Sequence, residues 1–166
     1  MKISTRTRYG VRTMVEIASG LPDRGVFQKE IAANQALSVK YLDHIIHALK
    51  TARLISNAKG KKSGYVLTRK PSEITVFDIH RAFEPGICLV ECLSGTYHCD
   101  LSDGCKARGF WGQLNHLIFT YFNSVTLDDL ISGKVGLEDI SFIEEPGKQN
   151  TRGSTPSEHS REYADK

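Results

Sequence analysis

The segment Ser38-Val-Lys-Tyr-Leu-Asp-His-Ile-Ile-His-Ala-Leu-Lys50 decides the fold class of this chain. Serine is a favourable N-cap, and apolar residues then recur at the i, i+3, i+4 and i+7 spacing of one helix face. These apolar residues are Leu42, Ile45, Ile46 and Leu49. The opposite face carries Lys40, Asp43, His44, His47 and Lys50. The segment therefore predicts an amphipathic helix with one buried face and one polar face.

The residues before this helix predict two further helices. A short one covers about residues 28–34 and turns Ile31 and Ala32 inward, and a turn at residues 35–37 separates it from Ser38. A longer helix begins near Ser4 or Thr5. Its apolar stripe is predicted to consist of Val11, Met14, Val15 and Ala18.

Two short strands are predicted after the helices, at about residues 54–57 and 65–68. The connecting residues 58–64 contain three lysines and two glycines, a composition typical of a basic hairpin tip. A short helix, a turn, a second helix and a basic hairpin follow one another in the order of a winged helix-turn-helix. The predicted fold class is therefore mainly α with a small β-hairpin wing.

The rest of the chain predicts a second helical region and a tail. One helix follows Thr75, where Asp78 completes a relative of the capping box, and a short last helix follows Thr126. Between them, a helix over about residues 106–123 is too apolar to pack on one small domain alone, which indicates a dimerisation helix. From about Glu144 the composition predicts disorder. The predicted division is a DNA-binding domain at 1–70, a linker, cysteine and dimerisation region at 71–133, and an extension at 134–166.

Charge is distributed unevenly along the chain. Residues 1–70 contain 14 Lys and Arg against 4 Asp and Glu, whereas residues 71–166 contain 8 against 15. A basic half indicates binding to double-stranded DNA, because lysine and arginine release the counterions of phosphates. The predicted DNA-binding residues, at the start of the second helix of the motif and in the wing, are Ser38, Lys40, Tyr41, His44, Lys59, Lys61 and Lys62.

Other function classes find little support in the sequence. No apolar run approaches the roughly 18 residues of a membrane span, and the first residues do not form a secretory signal. A cytoplasmic location is therefore expected. The histidines have no recognisable spacing to a nucleophile, and no phosphate-binding glycine loop is present, so an enzyme is not expected.

Three cysteines, Cys92, Cys99 and Cys105, lie within fourteen residues, and Cys88 lies just upstream. In a reducing compartment such a group indicates metal binding or redox chemistry rather than disulfides. The wide spacing favours an iron–sulfur cluster, either 2Fe-2S or 4Fe-4S, over the close pairs of structural zinc sites. Zinc and a thiol switch remain open alternatives.

Taken together, the chain resembles the Rrf-two family of winged-helix transcriptional regulators over residues 1–133. The resemblance is carried by Met1-Lys-Ile-Ser-Thr-Arg-Thr-Arg-Tyr9, Ser38-Val-Lys-Tyr-Leu-Asp-His44, Lys59-Gly-Lys-Lys-Ser-Gly-Tyr65, the three cysteines, and Val125-Thr-Leu-Asp-Asp-Leu-Ile131. It implies a homodimer and, as in cluster-binding members, ligation of iron–sulfur by Cys92, Cys99 and Cys105.

The chain departs from cluster-binding members at the fourth ligand. Some members place a histidine three residues after the third cysteine, where this chain has Arg108. Others recruit an acidic residue from the partner's first helix, and the matching position here is Arg8. The candidates that remain are His98, Asp103, Cys88 and a small exogenous molecule.

The sequence thus leads to a functional hypothesis with two alternatives. The hypothesis is a transcriptional regulator, expected to act as a repressor, that binds a pseudo-palindromic operator. Its binding is expected to be controlled by an iron–sulfur cluster that senses iron, redox state or nitric oxide. The first alternative is the same regulator using its cysteines for thiol or zinc chemistry. The second is a regulatory protein-interaction subunit.

Overall fold

A computed structural model describes residues 3–60, 63–95 and 99–135, which belong to one compact unit ending at Val135. The elements, in chain order, are α1 (Thr5–Ala18), α2 (Gln28–Asn34), α3 (Val39–Thr51), β1 (Ile55–Asn57), β2 (Tyr65–Leu67), α4 (Val76–Arg81), α5 (Arg108–Ser124) and α6 (Leu127–Ile131). Three 3-10 turns lie at Pro71–Glu73, Glu91–Leu93 and Ser102–Gly104. The mainly helical fold with a β-hairpin is confirmed, whereas the tail predicted from Glu144 lies outside the described residues.

Helix α1 begins where the sequence predicts, because the Ser4 hydroxyl accepts a hydrogen bond from the Thr7 N–H. Its buried face differs from the predicted one. Met14 is buried as predicted, and Val11, Val15 and Ala18 are half-buried and pack against the core. Ile17, which the predicted stripe left out, is also buried. The face is shifted because α4 packs closely on α1, where a Cβ at Gly10 would lie 2.2 Å from the Phe83 ring.

Helices α2 and α3 form the predicted helix-turn-helix. The turn is tight: Ala36 adopts φ of +51°, and the Leu37 N–H donates to the Ala32 carbonyl at 2.9 Å. Ser38 caps α3 by accepting from the Tyr41 N–H. The inward residues predicted for the two helices are all buried, namely Ile31, Ala32, Leu42, Ile45, Ile46 and Leu49.

The hairpin, residues 55–67, is called the wing below. Its strands are antiparallel, with Ile55 opposite Leu67 and Asn57 opposite Tyr65. A bridge from Val26 to Tyr65 joins the wing to the segment before α2. The contact is so close that a Cβ at Gly64 would lie 2.5 to 2.6 Å from the Val26 backbone. Glycine is therefore required at this position, and the wing is fixed against the body of the domain.

The second helical region packs on the first. The Val76 N–H donates to the Val125 carbonyl at 2.9 Å, and the Leu127 N–H donates to the Ile74 carbonyl at 2.8 Å. Helix α4 starts with the predicted capping box, and α6 starts at the predicted cap Thr126, which forms a capping box with Asp129. Both helices pack on α1. As a result, Ile79 of α4 and Leu127 of α6 belong to the same buried cluster as Met14 and the inward residues of α3.

Helix α5 follows the cysteines and has no buried residue along its 17 positions. One side packs on α4, where Phe119 meets Phe77 edge-to-face at 4.9 Å and Phe122 meets His80 at 5.6 Å. The other side leaves large apolar side chains in solvent. Within the part of the chain that the structure describes, no helix has the length and apolar character to cross a bilayer.

Candidate nucleic-acid interface and cysteine segment

The polar face of α3 points away from the protein interior and toward solvent. Ser38, Lys40 and His44 are exposed, while the opposite side of the helix is fully buried. Tyr41 is half-buried, because its ring packs edge-to-face on Tyr9 at 5.8 Å. The first two turns of α3 therefore present a cation, a hydroxyl and an imidazole, groups suited to phosphates and base edges.

The wing carries a further exposed cation. Lys59 is exposed next to Gly60, and the tip is closed by hydrogen bonds from the Ala58 N–H to the Gly64 carbonyl and from the Ser63 hydroxyl to the Ala58 carbonyl. Lys61 and Lys62, also predicted to bind DNA, lie outside the described residues. The wing is tied to α3 by Lys50, whose ammonium donates to the Asn57 side chain at 2.9 Å and lies 5.6 Å from the centre of the Tyr65 ring.

One residue of this surface was missed by the sequence analysis. Gln28, the first residue of α2, donates a hydrogen bond to the Asp43 carboxylate of α3 and another to the Val39 carbonyl at 3.4 Å. The Tyr65 hydroxyl lies 3.5 Å from the Gln28 side-chain oxygen. No spacing rule pairs residues 28, 43 and 65, so no local signal indicated this contact.

The cysteine segment, residues 87–107, lies between α4 and α5 and ends where α5 begins. It contains all four cysteines as free thiols, with Cys92 and Cys99 half-buried and Cys88 and Cys105 exposed. The Cys88 thiol donates to the Val90 carbonyl at 3.1 Å. The first part of the segment is held on α5, because the Leu89 N–H donates to the Asn115 side chain at 3.0 Å and the turn at Glu91–Leu93 packs on α5.

The donor chemistry of Cys92, Cys99 and Cys105 suits a thiophilic metal or cluster. Their arrangement does not: within residues 3–60, 63–95 and 99–135, no three histidine, cysteine, aspartate or glutamate side chains are gathered in a way that would hold a metal ion. His98, one candidate for a fourth ligand, lies outside these residues. The thiols are thus of the right type for a cluster but do not form a ready ligand set.

The α5 apolar face comprises the exposed residues Phe110, Trp111, Leu117 and Tyr121. Leu117 and Tyr121 also line a groove of about 620 Å³ together with Ile3, and almost all of its surface is apolar. Leu117 is 66% exposed and Phe110 60%. A continuous apolar surface of this kind marks an interaction site rather than a solvated helix face.

Comparison with known proteins agrees with this architecture. The family model described as "Rrf2: Iron-dependent Transcriptional regulator" matches residues 3–133. Protein rrf2 from Nitratidesulfovibrio vulgaris is 36% identical over 131 residues, which cover 79% of this chain and 87% of that protein.

Solved structures of named regulators match as well. CymR of Bacillus subtilis, called a global cysteine regulator, superposes with a TM-score of 0.66 at 32% identity over 80% of this chain and 97% of its own. IscR of T. potens superposes with a TM-score of 0.65 at 30% identity over 81% of this chain and 88% of its own. These relatives are transcriptional regulators and not enzymes. The chain therefore belongs to the Rrf2 family, the Rrf-two family of the sequence analysis, and is a winged-helix transcriptional regulator rather than an enzyme.

Proposed function

We propose that two copies of this chain bind a pseudo-palindromic operator in double-stranded DNA, and that the cysteine segment controls their affinity for it. The observation that carries the DNA-binding part is the exposed polar face of α3 beside a wing fixed by the Gly64–Val26 contact. A helix buried on one side and open on the other, flanked by a basic hairpin, has the shape and charge to enter a major groove.

Within this proposal the residues have separate roles. Lys40 and His44 contact base edges, while Ser38 and Tyr41 at the start of α3 contact phosphates or bases. Lys59, together with Lys61 and Lys62, contacts the phosphate backbone at the edge of the site. Phosphate contacts supply affinity and position, and the α3 contacts supply sequence preference.

The second copy is proposed to pair through the α5 apolar face. Solvent exposure of Phe110, Leu117 and Tyr121 costs free energy in a monomer, and pairing the same face of two copies removes it symmetrically. A two-fold pair relates its two α3 helices by symmetry, and an operator with two related half-sites matches that symmetry.

Control is proposed to act through the cysteine segment because that segment is bonded to α5. Cys92 lies in the turn at 91–93, Cys99 and Cys105 follow in the same segment, and the hydrogen bond from Leu89 to Asn115 joins the start of that segment to α5. If α5 is the dimer helix, a change at these cysteines alters the spacing of the two DNA-binding halves. A tenfold change in operator affinity requires only about 1.4 kcal/mol of difference between the two states.

The proposed change of state is the gain or loss of an iron–sulfur cluster on Cys92, Cys99 and Cys105. The regulator is proposed to act as a repressor. The iron-dependent description of the family and the thiol donors support the cluster. A second candidate is direct thiol oxidation. The exposure of Cys88 and Cys105, and the lack of a ready ligand set among the described residues, favour that candidate.

The deciding experiment is purification without oxygen, followed by assays of iron, acid-labile sulfide and the visible spectrum. Operator binding is then measured for the wild type, Cys92→Ser and Lys40→Ala. The cluster proposal expects iron with matching sulfide, loss of both in Cys92→Ser, and weaker DNA binding with the cluster retained in Lys40→Ala. A colourless protein whose DNA binding responds to peroxide would establish the thiol candidate instead, and undetectable DNA binding at low salt would reject the operator-binding proposal.

A further inference from the structure

Gln28 links three elements through polar contacts: the two helices of the helix-turn-helix and a strand of the wing. It belongs to α2, but its side-chain amide reaches Asp43 of α3 at 2.5 Å and the Tyr65 hydroxyl of β2 at 3.5 Å. Asp43 is exposed on the polar face of α3, in the first two turns of that helix. The contact therefore joins the proposed base-reading surface to both of its neighbours.

The orientation of the Gln28 amide follows from its partners. The Asp43 carboxylate and the Val39 carbonyl both accept hydrogen bonds, so the NH₂ group must face them. The side-chain oxygen of Gln28 then faces the Tyr65 hydroxyl, which donates to it. Both polar ends of the amide are engaged, and a rotation by 180° would turn the Gln28 oxygen toward a carboxylate.

The Tyr65 side chain is held in place by contacts other than the one with Gln28. Its ring is half-buried, and Lys50 lies over it with the ammonium 5.6 Å from the ring centre. Burial, and secondly the negative charge of Asp43, raise the pKa of the Tyr65 hydroxyl, a group that is protonated at neutral pH in any case and able to donate. The Tyr65 hydroxyl of the wing thereby orients the Gln28 amide, and the Gln28 amide orients the Asp43 carboxylate.

We infer that Gln28 is a positioning residue that fixes the Asp43 carboxylate for recognition of one base pair in each half-site. One carboxylate oxygen accepts from Gln28, and the other remains available to a donor in the major groove. The cytosine amino group is the natural donor for an aspartate at such a position. This inference rests on the proposed operator binding, and it adds a determinant of specificity outside α3.

The physical basis is preorganisation. An unrestrained aspartate on the surface loses rotamer freedom when it engages a base, and the hydrogen bond from Gln28 has already restricted that freedom in the free protein. The loss of this restraint is expected to reduce discrimination at one base pair by roughly threefold to tenfold. Phosphate contacts are not involved, so affinity for nonspecific DNA is expected to stay unchanged.

The test is selection from a library of randomised DNA duplexes, carried out with the full-length wild type and four variants. Gln28→Met keeps the length of the side chain but removes its hydrogen bonds, and Tyr65→Phe removes only the donor to Gln28. Asp43→Asn replaces the acceptor with a group that favours adenine. Gln35→Met is the matched control, because Gln35 at the other end of α2 bonds to Arg12 and Glu16 of α1.

The expected result is a preference for cytosine at one position that weakens in Gln28→Met, weakens less in Tyr65→Phe, and shifts toward adenine in Asp43→Asn. The double variant of Gln28→Met and Asp43→Asn should lose no more than Asp43→Asn alone. Wild-type preference in Gln28→Met and Tyr65→Phe would overturn the inference, as would an equal loss in Gln35→Met. A wild type that selects no sequence at all would instead reject the proposed operator binding.

Discussion

The backbone N–H of Leu89 donates to the side-chain oxygen of Asn115 across a distance of 3.0 Å, and this bond ties the start of the cysteine segment to the middle of α5. The two residues are 26 positions apart, with Cys92, Cys99 and Cys105 between them. Any chemistry at these thiols therefore takes place in a loop whose first part is joined to the proposed dimer helix.

Replacement of Asn115 by alanine should loosen that loop without unfolding the domain. A neutral hydrogen bond contributes about 1 kcal/mol, so global stability should fall by no more than this amount. Amide exchange should accelerate in residues 87–95 and remain unchanged in α3, as measured by hydrogen–deuterium exchange. Asn123→Ala is the control, because the Asn123 side chain donates to the Phe119 carbonyl within α5. Equal exchange in both variants would contradict the assigned role of Asn115.

The close contact between the wing and Val26 makes a clear prediction for Gly64. An alanine there would force its Cβ to within 2.6 Å of the Val26 backbone, and the strands would have to separate. Gly64→Ala should lower the free energy of unfolding by about 1–3 kcal/mol, the range found for overpacked sites. Gly109→Ala, at an open position in α5, should be neutral or slightly stabilising. Urea denaturation compares the two variants, and a neutral Gly64→Ala would disprove the close packing.

Asp129 connects stability to pH through the capping box of α6. Hydrogen bonds from the Thr126 hydroxyl and N–H, assisted by Lys134, lower the pKa of this carboxyl below its ordinary value. A lowered pKa stabilises the folded state fully above the unfolded pKa of about 4, and the stabilisation is lost as the pH falls through the folded value. Asp129→Asn should therefore be less stable than the wild type at pH 7, and the difference should vanish toward pH 2. Unfolding at several pH values tests this, with Asp128→Asn as the control.

Lys59 should contribute to DNA affinity in a manner that depends on salt and not on sequence. Each phosphate contact changes the slope of log affinity against log salt by about 0.9. Lys59→Ala should reduce that slope by roughly one and should weaken specific and nonspecific DNA alike. Lys134→Ala, which removes an exposed lysine bonded to Asp129, is expected to leave the slope unchanged. A change in base preference without a change in slope would contradict a phosphate contact at Lys59.

A substitution at Leu117 directly tests whether two copies of the chain pair through the α5 apolar face. The Leu117 side chain is 66% exposed, so a charge at this position should leave the monomer folded. Leu117→Glu should dissociate the dimer, because pairing would bury an unpaired carboxylate, and operator binding should weaken at least tenfold as a result. Sedimentation velocity and circular dichroism measure the two effects. Leu21→Glu, at a similarly exposed leucine beside Pro22, should remain dimeric, and a dimeric Leu117→Glu would place the interface elsewhere.

Much of the fold was accessible from the sequence because its signals are local. Ser38, Thr75 and Thr126 cap helices within three residues of their partners, and the stripe from Leu42 to Leu49 repeats within two helical turns. A residue's immediate neighbours in sequence suffice for such features. The prediction for α1 was less accurate, because its buried face depends on how α4 and Phe83 approach Gly10, and periodicity does not encode that approach.

The sequence by itself determined the order of elements, the basic half, the cysteine-rich loop and the surplus apolar surface of α5. Only the tertiary structure decided which residues far apart in the chain meet. The Leu89–Asn115 bond, the Gly64–Val26 contact and the chain from Tyr65 through Gln28 to Asp43 all join residues at least 15 positions apart. Such contacts depend on the relative placement of whole helices and strands, which is set by packing of the common core and leaves no local pattern in the sequence.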